Sequence, residues 1–341
     1  MRLSALDQAP ISEGMSPGQA LRNSVNLAQA LDGLGFTRYW VAEHHGTPML
    51  ACASPEALIG PIASATSRIR VGSGGVMLPH YSALKVAETF GMLSGMYPGR
   101  IDLAVGRAPG SDPMTAFALQ RDRRHPAPDD FPDQLAELLA YVRDGLPPGH
   151  RFSRLVHLAT DADRPEPWLL GSSPQSAVWA AQLGLPYAFA DFINPEGVDI
   201  AKRYRDTFVP SRTLAAPKVV VAAWALCADT EQEAVRLASS SRMAFTYFLQ
   251  GQLIPVPPIE TALRFLSEHE DAAALLMRRR RAIVGAPDTV MSKLTGLASA
   301  YGADEVMVVT ITYEHAARRR SYELLAETCG LAGVAPVSAP A

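Results

Sequence analysis

The sequence predicts an α/β protein folded as a (β/α)8 TIM barrel, and three observations lead to that fold. Eight short apolar segments alternate with helical segments along the 341 residues. The apolar segments are nearly continuous, which is typical of parallel strands covered by helices on both faces. Each one is followed by a helix, and eight such units close a barrel. An open, doubly wound sheet is the alternative, and it predicts fewer strands.

Ordinary start and stop signals bound the predicted elements. Ser16 and Pro17 open the first helix and Gly35 ends it. The predicted strands are residues 2–6, 37–42, 69–78, 100–106, 168–171, 186–191, 218–228 and 304–310. The predicted helices are residues 18–34, 54–67, 82–96, 133–143, 174–183 and 196–207, one that runs from 230 past 245, and 287–301 and 314–329.

Two proline-rich stretches interrupt this alternation. Residues 107–131 follow the fourth strand, and residues 251–282 follow the seventh. We therefore predict insertions after strands 4 and 7. Residues 1–330 are predicted to form one barrel domain, and residues 331–341 a C-terminal tail.

Composition and charge argue against several classes of partner. Hydrophobic residues make up 48% and charged residues 19%, and the net charge of −3 comes from interspersed acids and bases. We expect neither nucleic acid nor a membrane as partner, and the segment "MRRRR" (277–281), called the arginine run, is interpreted as a solvated face. Cys52, Cys227 and Cys329 lie far apart, so no disulfide framework is predicted. Without a signal peptide or a membrane-length apolar run, the expected location is the cytoplasm.

Glu43, His44 and His45 directly follow the second predicted strand. Active sites of (β/α)8 barrels lie at the carboxyl ends of the strands, and three ionisable groups at one such end favour catalysis. Capping or hydrogen bonding by the imidazoles is the structural alternative. A metal site is a third interpretation, but no H-x-H, H-E-x-x-H or carboxylate cluster accompanies the motif. We therefore predict no metal.

Three other strand ends carry groups that suit a phosphorylated, flat ligand. Gly74 and Gly75 would let a ring lie against bare backbone, although a β-bulge explains them equally well. Arg107 suits a phosphate, with a surface ion pair as the alternative. The turn after the fifth strand adds free backbone N–H groups and three hydroxyls, where a helix cap needs one. These hydroxyls belong to Ser172, Ser173 and Ser176. The set predicts a site for one phosphate monoester.

Fingerprints of two other chemistries are missing. A dinucleotide-binding G-x-G-x-x-G motif starting at Gly72 would need glycine where Met77 stands. The segment "GSSPQS" (171–176) lacks the second glycine of a G-x-S-x-G nucleophile turn. Neither a nicotinamide dehydrogenase of that type nor a serine hydrolase is predicted.

The chain resembles the bacterial luciferase-like flavin monooxygenases over most of its length. The resemblance is carried by "LDQAP" (6–10), "WVAEHH" (40–45), "VGSGGVMLPH" (71–80), "PGRIDLAVGR" (98–107), "SSPQSAVWAAQLGLPYAFA" (172–190) and "YGADEVMVV" (301–309). It is stronger for members with one kind of chain than for the light-emitting heterodimer. It implies a barrel that binds FMN at its carboxyl rim, where reduced FMN adds dioxygen and the resulting flavin C4a-peroxide oxygenates a substrate.

The resemblance also assigns roles by position. His44 matches the imidazole near the reactive edge of the flavin, and Gly74-Gly75 falls where the family has a cis peptide behind the ring. The phosphate-binding positions are Arg107, Ser172, Ser173 and Ser176. Two departures stand out: Gly106, counted with the cofactor site, replaces a reactive cysteine, and Ser172 replaces an acidic residue. The insertion at 251–282 lies where the luciferases have a mobile lid.

These inferences combine into one function hypothesis. The protein would be a two-component monooxygenase that takes reduced FMN (FMNH2) from a separate NAD(P)H:flavin reductase and oxygenates a small organic substrate, a secondary metabolite being one candidate. His44 would act as acid and base, with His45 and Glu43 orienting it or contacting the flavin. Apolar side chains would exclude water, namely Met77, Leu78 and Phe192. A homodimer is expected.

Two other functions are compatible with the same barrel. A deazaflavin- or FMN-dependent reductase would transfer hydride and consume no oxygen. A non-catalytic flavin-binding protein would need the phosphate pocket but not the imidazole, and the presence of His44 speaks against it.

Overall fold

The computed structural model describes residues 1–107, 112–125, 129–155, 164–269, 282–331 and 333. Within them the chain forms a closed parallel barrel of eight strands surrounded by helices, as predicted. The barrel strands are β1 (Arg2–Asp7), β2 (Arg38–Val41), β3 (Arg70–Ser73), β5 (Ile101–Gly106), β6 (Glu166–Gly171), β7 (Tyr187–Ala190), β8 (Val219–Cys227) and β10 (Glu305–Val309). Strand β10 pairs with both β1 and β8, and this double pairing closes the barrel.

Helices follow the strands in chain order. Those outside the insertions are α1 (Pro17–Leu34), α2 (Pro55–Ala65), α3 (Ala83–Met96), α5 (Phe131–Leu139), α6 (Pro174–Gln182), α7 (Val198–Asp206), α8 (Glu231–Leu249), α10 (Pro287–Tyr301) and α11 (His315–Cys329). Helix α1 begins and ends as predicted: the Ser16 side chain accepts from the backbone N–H of Gln19, and Gly35 ends the helix in a left-handed conformation.

The structure corrects the sequence prediction in three places. The predicted strand 69–78 is interrupted after Ser73 and resumes as a two-residue strand, β4 (Val76–Met77), which pairs with β5. The insertion after the fourth barrel strand contains a short helix, α4 (Pro113–Leu119). The insertion after the seventh contains α9 (Ile259–Glu268) and β9 (Ile283–Gly285), which pairs with the end of β8. The arginine run at 277–281 and most of the tail lie outside the described residues.

A network of buried charges fills the amino end of the barrel. Arg38 donates to Asp102 at 2.8 Å and to Glu305 at 3.0 Å. Glu166 lies 3.4 Å from the same guanidinium and 2.8 Å from Nζ of Lys218. Although burial alone would raise it, these cations hold the pKa of Glu166 below its ordinary value. The network fills this end of the barrel, and an active site is expected at the opposite, carboxyl end of the strands.

Strand alternation arranges the remaining interior in layers. Above the charges lies a tightly packed layer in which Trp40 and Trp168 meet edge to face at 5.3 Å. The next layer toward the carboxyl end contains several small residues. Its small members, by alternation, are Ala42, Gly74, Gly106, Ala190 and Ala222.

Candidate active site

Glu43 is the centre of a hydrogen-bond network at the carboxyl end of β2. Its carboxylate is fully buried and accepts from three donors. Oε2 accepts the backbone N–H of Met77 at 2.9 Å, while Oε1 contacts the Tyr81 hydroxyl at 3.0 Å and Nε2 of His45 at 2.7 Å. Burial of a carboxylate is tolerated when hydrogen bonds replace its water. Glu43 therefore fixes His45 and the chain after Gly75 in one arrangement.

His44 differs from His45 in having a ring nitrogen without a partner. Its backbone N–H donates to the carbonyl of Cys52 at 2.9 Å, which fixes the start of the loop. The ring is partly accessible, but Nδ1 is fully buried and makes no hydrogen bond. Burial, and after it the neighbouring His45, lowers the pKa of His44 to about 4. His44 is therefore neutral at pH 7.

Gly74 and Gly75 form the floor of the mouth beside this network. The peptide bond between them is cis, as the resemblance implied. A β-carbon on Gly74 would lie 2.5 Å from Cδ1 of Leu6, and one on Gly75 would lie 2.7 Å from the carbonyl oxygen of Ala104. Both positions are thus restricted to glycine by close packing against the barrel.

Gly106 lies at the end of β5, opposite the thioether of Met77. A β-carbon there would meet Cε of Met77 at 3.7 Å, an ordinary contact, so the position has room for a small side chain. Met77 lies beside Gly106 on this side of the mouth, and its predicted role in excluding water stays a prediction. Leu78 does not: it is fully buried in the outer core between sheet and helices, and the prediction that it shields the mouth is wrong.

The serines after β6 divide into two groups. Ser173 caps α6 and accepts from the backbone N–H of Ser176 at 3.3 Å. The Ser176 hydroxyl is buried, donates to the carbonyl of Ser173 at 2.7 Å and contacts the Tyr187 hydroxyl at 2.8 Å. Ser172 continues the inward-facing row of β6 by alternation. Two of the three hydroxyls thus form a capping box, which leaves the Ser172 hydroxyl as the candidate for a ligand.

Arg107 lies beside this turn with half of its side chain exposed. Its guanidinium is 2.7 Å from the Asp129 carboxylate, which is itself mostly exposed, and 6.0 Å from the centre of the Trp179 ring in α6. An exposed ion pair contributes little to stability. The guanidinium can therefore exchange Asp129 for another anion at modest cost.

Sequence reasoning missed Tyr81, the third donor to Glu43. Thirty-eight residues separate the two, and only the fold brings them together. Asp7, at the carboxyl end of β1, points outward and accepts from Tyr39 and from Arg318 of α11. In the described part of the chain no three His, Cys, Asp or Glu side chains are grouped to hold a metal ion. No helix there is long and apolar enough to cross a membrane.

Comparison with known proteins gives a consistent result. The sequence profile of the luciferase-like monooxygenases matches residues 1–304. A luciferase-like monooxygenase of Escherichia coli K12 is 40% identical over 335 residues, covering 94% of this chain and 95% of that protein. The N-acetyl-S-alkylcysteine monooxygenase of Bacillus subtilis is 36% identical over 329 residues, covering 96% and 98%. The crystal structure of apo-MsnO8 has a TM-score of 0.89 at 40% identity and covers 98% and 99%.

Proposed function

The chain belongs to the luciferase-like monooxygenase family, and we propose that it uses reduced FMN and dioxygen to oxygenate a small organic molecule. The observation that carries the proposal is the network around Glu43, which joins His45, Tyr81 and the backbone after Gly74-Gly75 beside the unpartnered Nδ1 of His44. All these groups lie at the end of the barrel where such folds carry their chemistry.

The residues at the mouth fit a flavin mononucleotide. The small side chains near the mouth and the bare backbone of Gly74-Gly75 would provide a flat apolar surface for a ring system. Arg107, Ser172 and the first turn of α6 supply positive charge and donors for one phosphate. When bound, reduced FMN would supply the chemistry that activates dioxygen. The Ser176 hydroxyl would contribute by holding the turn rather than by contacting the phosphate, because its hydrogen bonds are already made.

The chain's own residues then have distinct roles in the proposal. His44, neutral at pH 7 and partly exposed, would face the substrate or flavin with the accessible part of its ring rather than with the buried Nδ1. The hydrogen bonds among Glu43, Tyr81 and His45 would hold the loop that carries His44 and the backbone at Met77 in fixed positions. Phe192 and Trp224, whose rings meet at 5.7 Å, would keep water from the reacting atoms on the far side of the mouth.

Substrate, partners and location remain predictions. The relative named for N-acetyl-S-alkylcysteines makes thioethers a class to test beside secondary metabolites. A separate NAD(P)H:flavin reductase, a cytoplasmic location and a homodimer are carried over from the sequence. For the dimer, Met92 and Met96 on α3 are 55% and 59% exposed, which suits a face covered by a second copy.

Anaerobic titration with FMNH2 and with a reduced deazaflavin, followed by admission of oxygen, tests the proposal. We expect tight binding of FMNH2, weaker binding after Arg107→Met, and oxidation of bound FMNH2 at a rate that differs from that of free FMNH2. Preference for the deazaflavin with no oxygen consumed would instead indicate a reductase. Binding of FMNH2 with the same oxidation rate as free FMNH2 would indicate a protein that only carries flavin.

A further inference from the structure

Gln8 is a buried glutamine whose side-chain amide has no partner in the described protein. It directly follows β1, and only 8% of its surface is exposed. Among the described residues its amide forms no hydrogen bond, yet the amide atoms remain accessible to solvent. A buried carboxamide is ordinarily hydrogen-bonded, because it carries both donors and an acceptor. Gln8 therefore has a packed stem and an open polar end.

The residues on either side of Gln8 show that it points into the barrel. Leu6 belongs to the cluster inside the barrel, whereas the Asp7 carboxylate turns outward to Arg318 of α11. Ala9 packs in the outer core between the sheet and the helices. Since successive side chains along a strand alternate between its two faces, Gln8 faces inward. Its open end therefore faces the mouth, which is the carboxyl end of the barrel.

The turn after β1 holds Gln8 in this direction. The Asp7 carboxylate reaches past Gln8 and accepts the backbone N–H of Ala9 at 2.7 Å, while Arg318 donates to the same carboxylate at 2.6 Å. The carbonyl of Ala9 accepts from the backbone N–H of Ala51 at 2.9 Å. Ala9 has a φ of 49°, in the left-handed region that is unfavourable for alanine. The fold maintains an unfavourable conformation at this turn, as is common beside functional groups.

Gln8 and His44 are neighbours at the mouth. The register of the strands pairs Asp7 of β1 with Val41 of β2, so Gln8 comes level with Ala42, and His44 is the next inward position after it. Adjacent strands lie about 4.8 Å apart and each residue rises about 3.3 Å, which puts the Cα atoms of Gln8 and His44 roughly 8 Å apart. One small molecule can therefore contact both side chains.

The surroundings of Gln8 favour a neutral ligand group over an ion. His44 is uncharged at pH 7, and the rings of Phe192 and Trp224 line the mouth on the side of β7 and β8. The Arg107 guanidinium follows β5, which β2 and β3 separate from β1. A carboxamide presents a donor beside an acceptor, and its complement is a carbonyl beside an N–H.

We propose that Gln8 is a ligand-binding residue that forms hydrogen bonds with an amide-type edge, a carbonyl beside an N–H, on the molecule held next to His44. Two molecules of the proposed reaction can present such an edge. One is the pyrimidine ring of the flavin, and the other is an organic substrate that carries a neutral amide. The flavin source rests on the proposed function, whereas the binding of an amide does not.

Two pairs of probes test this assignment, and the members of each pair differ in whether the N–H is available. Oxidised FMN is compared with 3-methyl-FMN by quenching of flavin fluorescence. N-benzylacetamide is compared with benzyl acetate by NMR titration, with and without saturating oxidised FMN. We expect wild-type protein to prefer the N–H member of one pair by about fivefold, the size of one neutral hydrogen bond. A preference within the FMN pair identifies the flavin as the ligand, and one within the other pair identifies the substrate.

Two variants of Gln8 give different expected results. Gln8→Met has a similar shape but neither donor nor acceptor, so it should remove the preference. Gln8→Glu still accepts from an N–H but has no donor for the carbonyl at neutral pH. It should therefore keep a preference for the N–H member while binding both members of that pair more weakly.

Ser94→Ala is the matched control. Buried polar atoms without a hydrogen bond also occur on the helices, and the Ser94 hydroxyl on α3 is one of them. Gln8 differs from Ser94 because it lies inside the barrel and faces the mouth. Loss of the Ser94 hydroxyl should leave the preference within both pairs unchanged.

Thermal unfolding of the same variants distinguishes a ligand-binding role from a structural one. Gln8→Met should not lower the melting temperature, because the amide bonds to no described part of the protein. Equal binding of both members of each pair by wild type, or a preference that survives in Gln8→Met, would overturn the proposal. So would a lower melting temperature with all four probes weakened equally. The amide pair without FMN is independent of the flavin, so failure of the proposed function would be seen separately as absent FMN binding.

Discussion

Replacing Glu43 with glutamine changes one atom of the network that we place at the centre of the site. The carboxylate accepts from His45 and Tyr81 through one oxygen and from the Met77 N–H through the other. If the amide keeps its oxygen toward His45 and Tyr81, its NH2 group faces the Met77 N–H. Two donors then face each other, and the Met77 N–H has lost its acceptor. If it turns over, two donors lose the carboxylate oxygen instead. Either way at least one buried charge-assisted bond is lost.

The expected cost follows from that count. One hydrogen bond to a charged group contributes about 1.5–3 kcal/mol, so Glu43→Gln should lower the free energy of unfolding by about that amount. Tyr81→Phe is the matched control, because it removes one donor and leaves the carboxylate with two others. It should cost less than Glu43→Gln, because it removes a hydrogen bond without leaving a buried donor that lacks an acceptor.

Chemical denaturation measures these differences, and amide hydrogen exchange locates them. The Met77 amide should exchange roughly 10- to 160-fold faster in Glu43→Gln if it exchanges through local opening, since about 1.4 kcal/mol corresponds to a factor of ten. In Tyr81→Phe its exchange should change much less. Equal stability of wild type and Glu43→Gln, or greater loss in Tyr81→Phe, would show that the carboxylate does not organise this loop.

Three further predictions follow. The pKa of Glu166 is held below its ordinary value of 4.5 in the folded protein, so its charge stabilises the fold above pH 4.5 and this effect is lost as the pH falls through the folded pKa. In Glu166→Gln the free energy of unfolding should therefore fall less steeply with decreasing pH in this acidic range. Gly171→Ala should destabilise by about 1–3 kcal/mol, because the methyl would overlap Ser176, whereas Gly95→Ala in open space on α3 should stabilise by about 0.5–1 kcal/mol; denaturation checks both. NMR titration of His44 should give a midpoint near 4, and one near 6.5 would contradict its burial.

Much of the fold could be predicted from the sequence, because continuous apolar strands and helix caps are local signals. The interruption between β3 and β4 could not, because it depends on how Gly74 packs against Leu6 inside the barrel. Helix α9 was missed between proline-rich and arginine-rich neighbours, where packing on α8 through Tyr247 and Phe265 decides the structure.

The site shows the same division. Its positions on the rim follow from strand order, so the motif at 43–45 could be found from the sequence. Partners that depend on tertiary contact could not, because Tyr81 lies 38 residues from Glu43 along the chain and only the fold brings the two together. Nor could the sequence show that the Ser176 hydroxyl is hydrogen-bonded to the Tyr187 hydroxyl, because α6 and β7 bring the two together only in the folded protein.

Oxidation of bound FMNH2 after rapid mixing with oxygen tests the central claim most directly, with wild type, His44→Ala and free FMNH2 compared. We expect wild type to delay the return of oxidised FMN relative to free FMNH2, and we expect the delay to shorten when His44 is removed while FMNH2 affinity is retained. Oxidation in wild type at the rate of free FMNH2, or an unchanged delay in His44→Ala, would contradict the account.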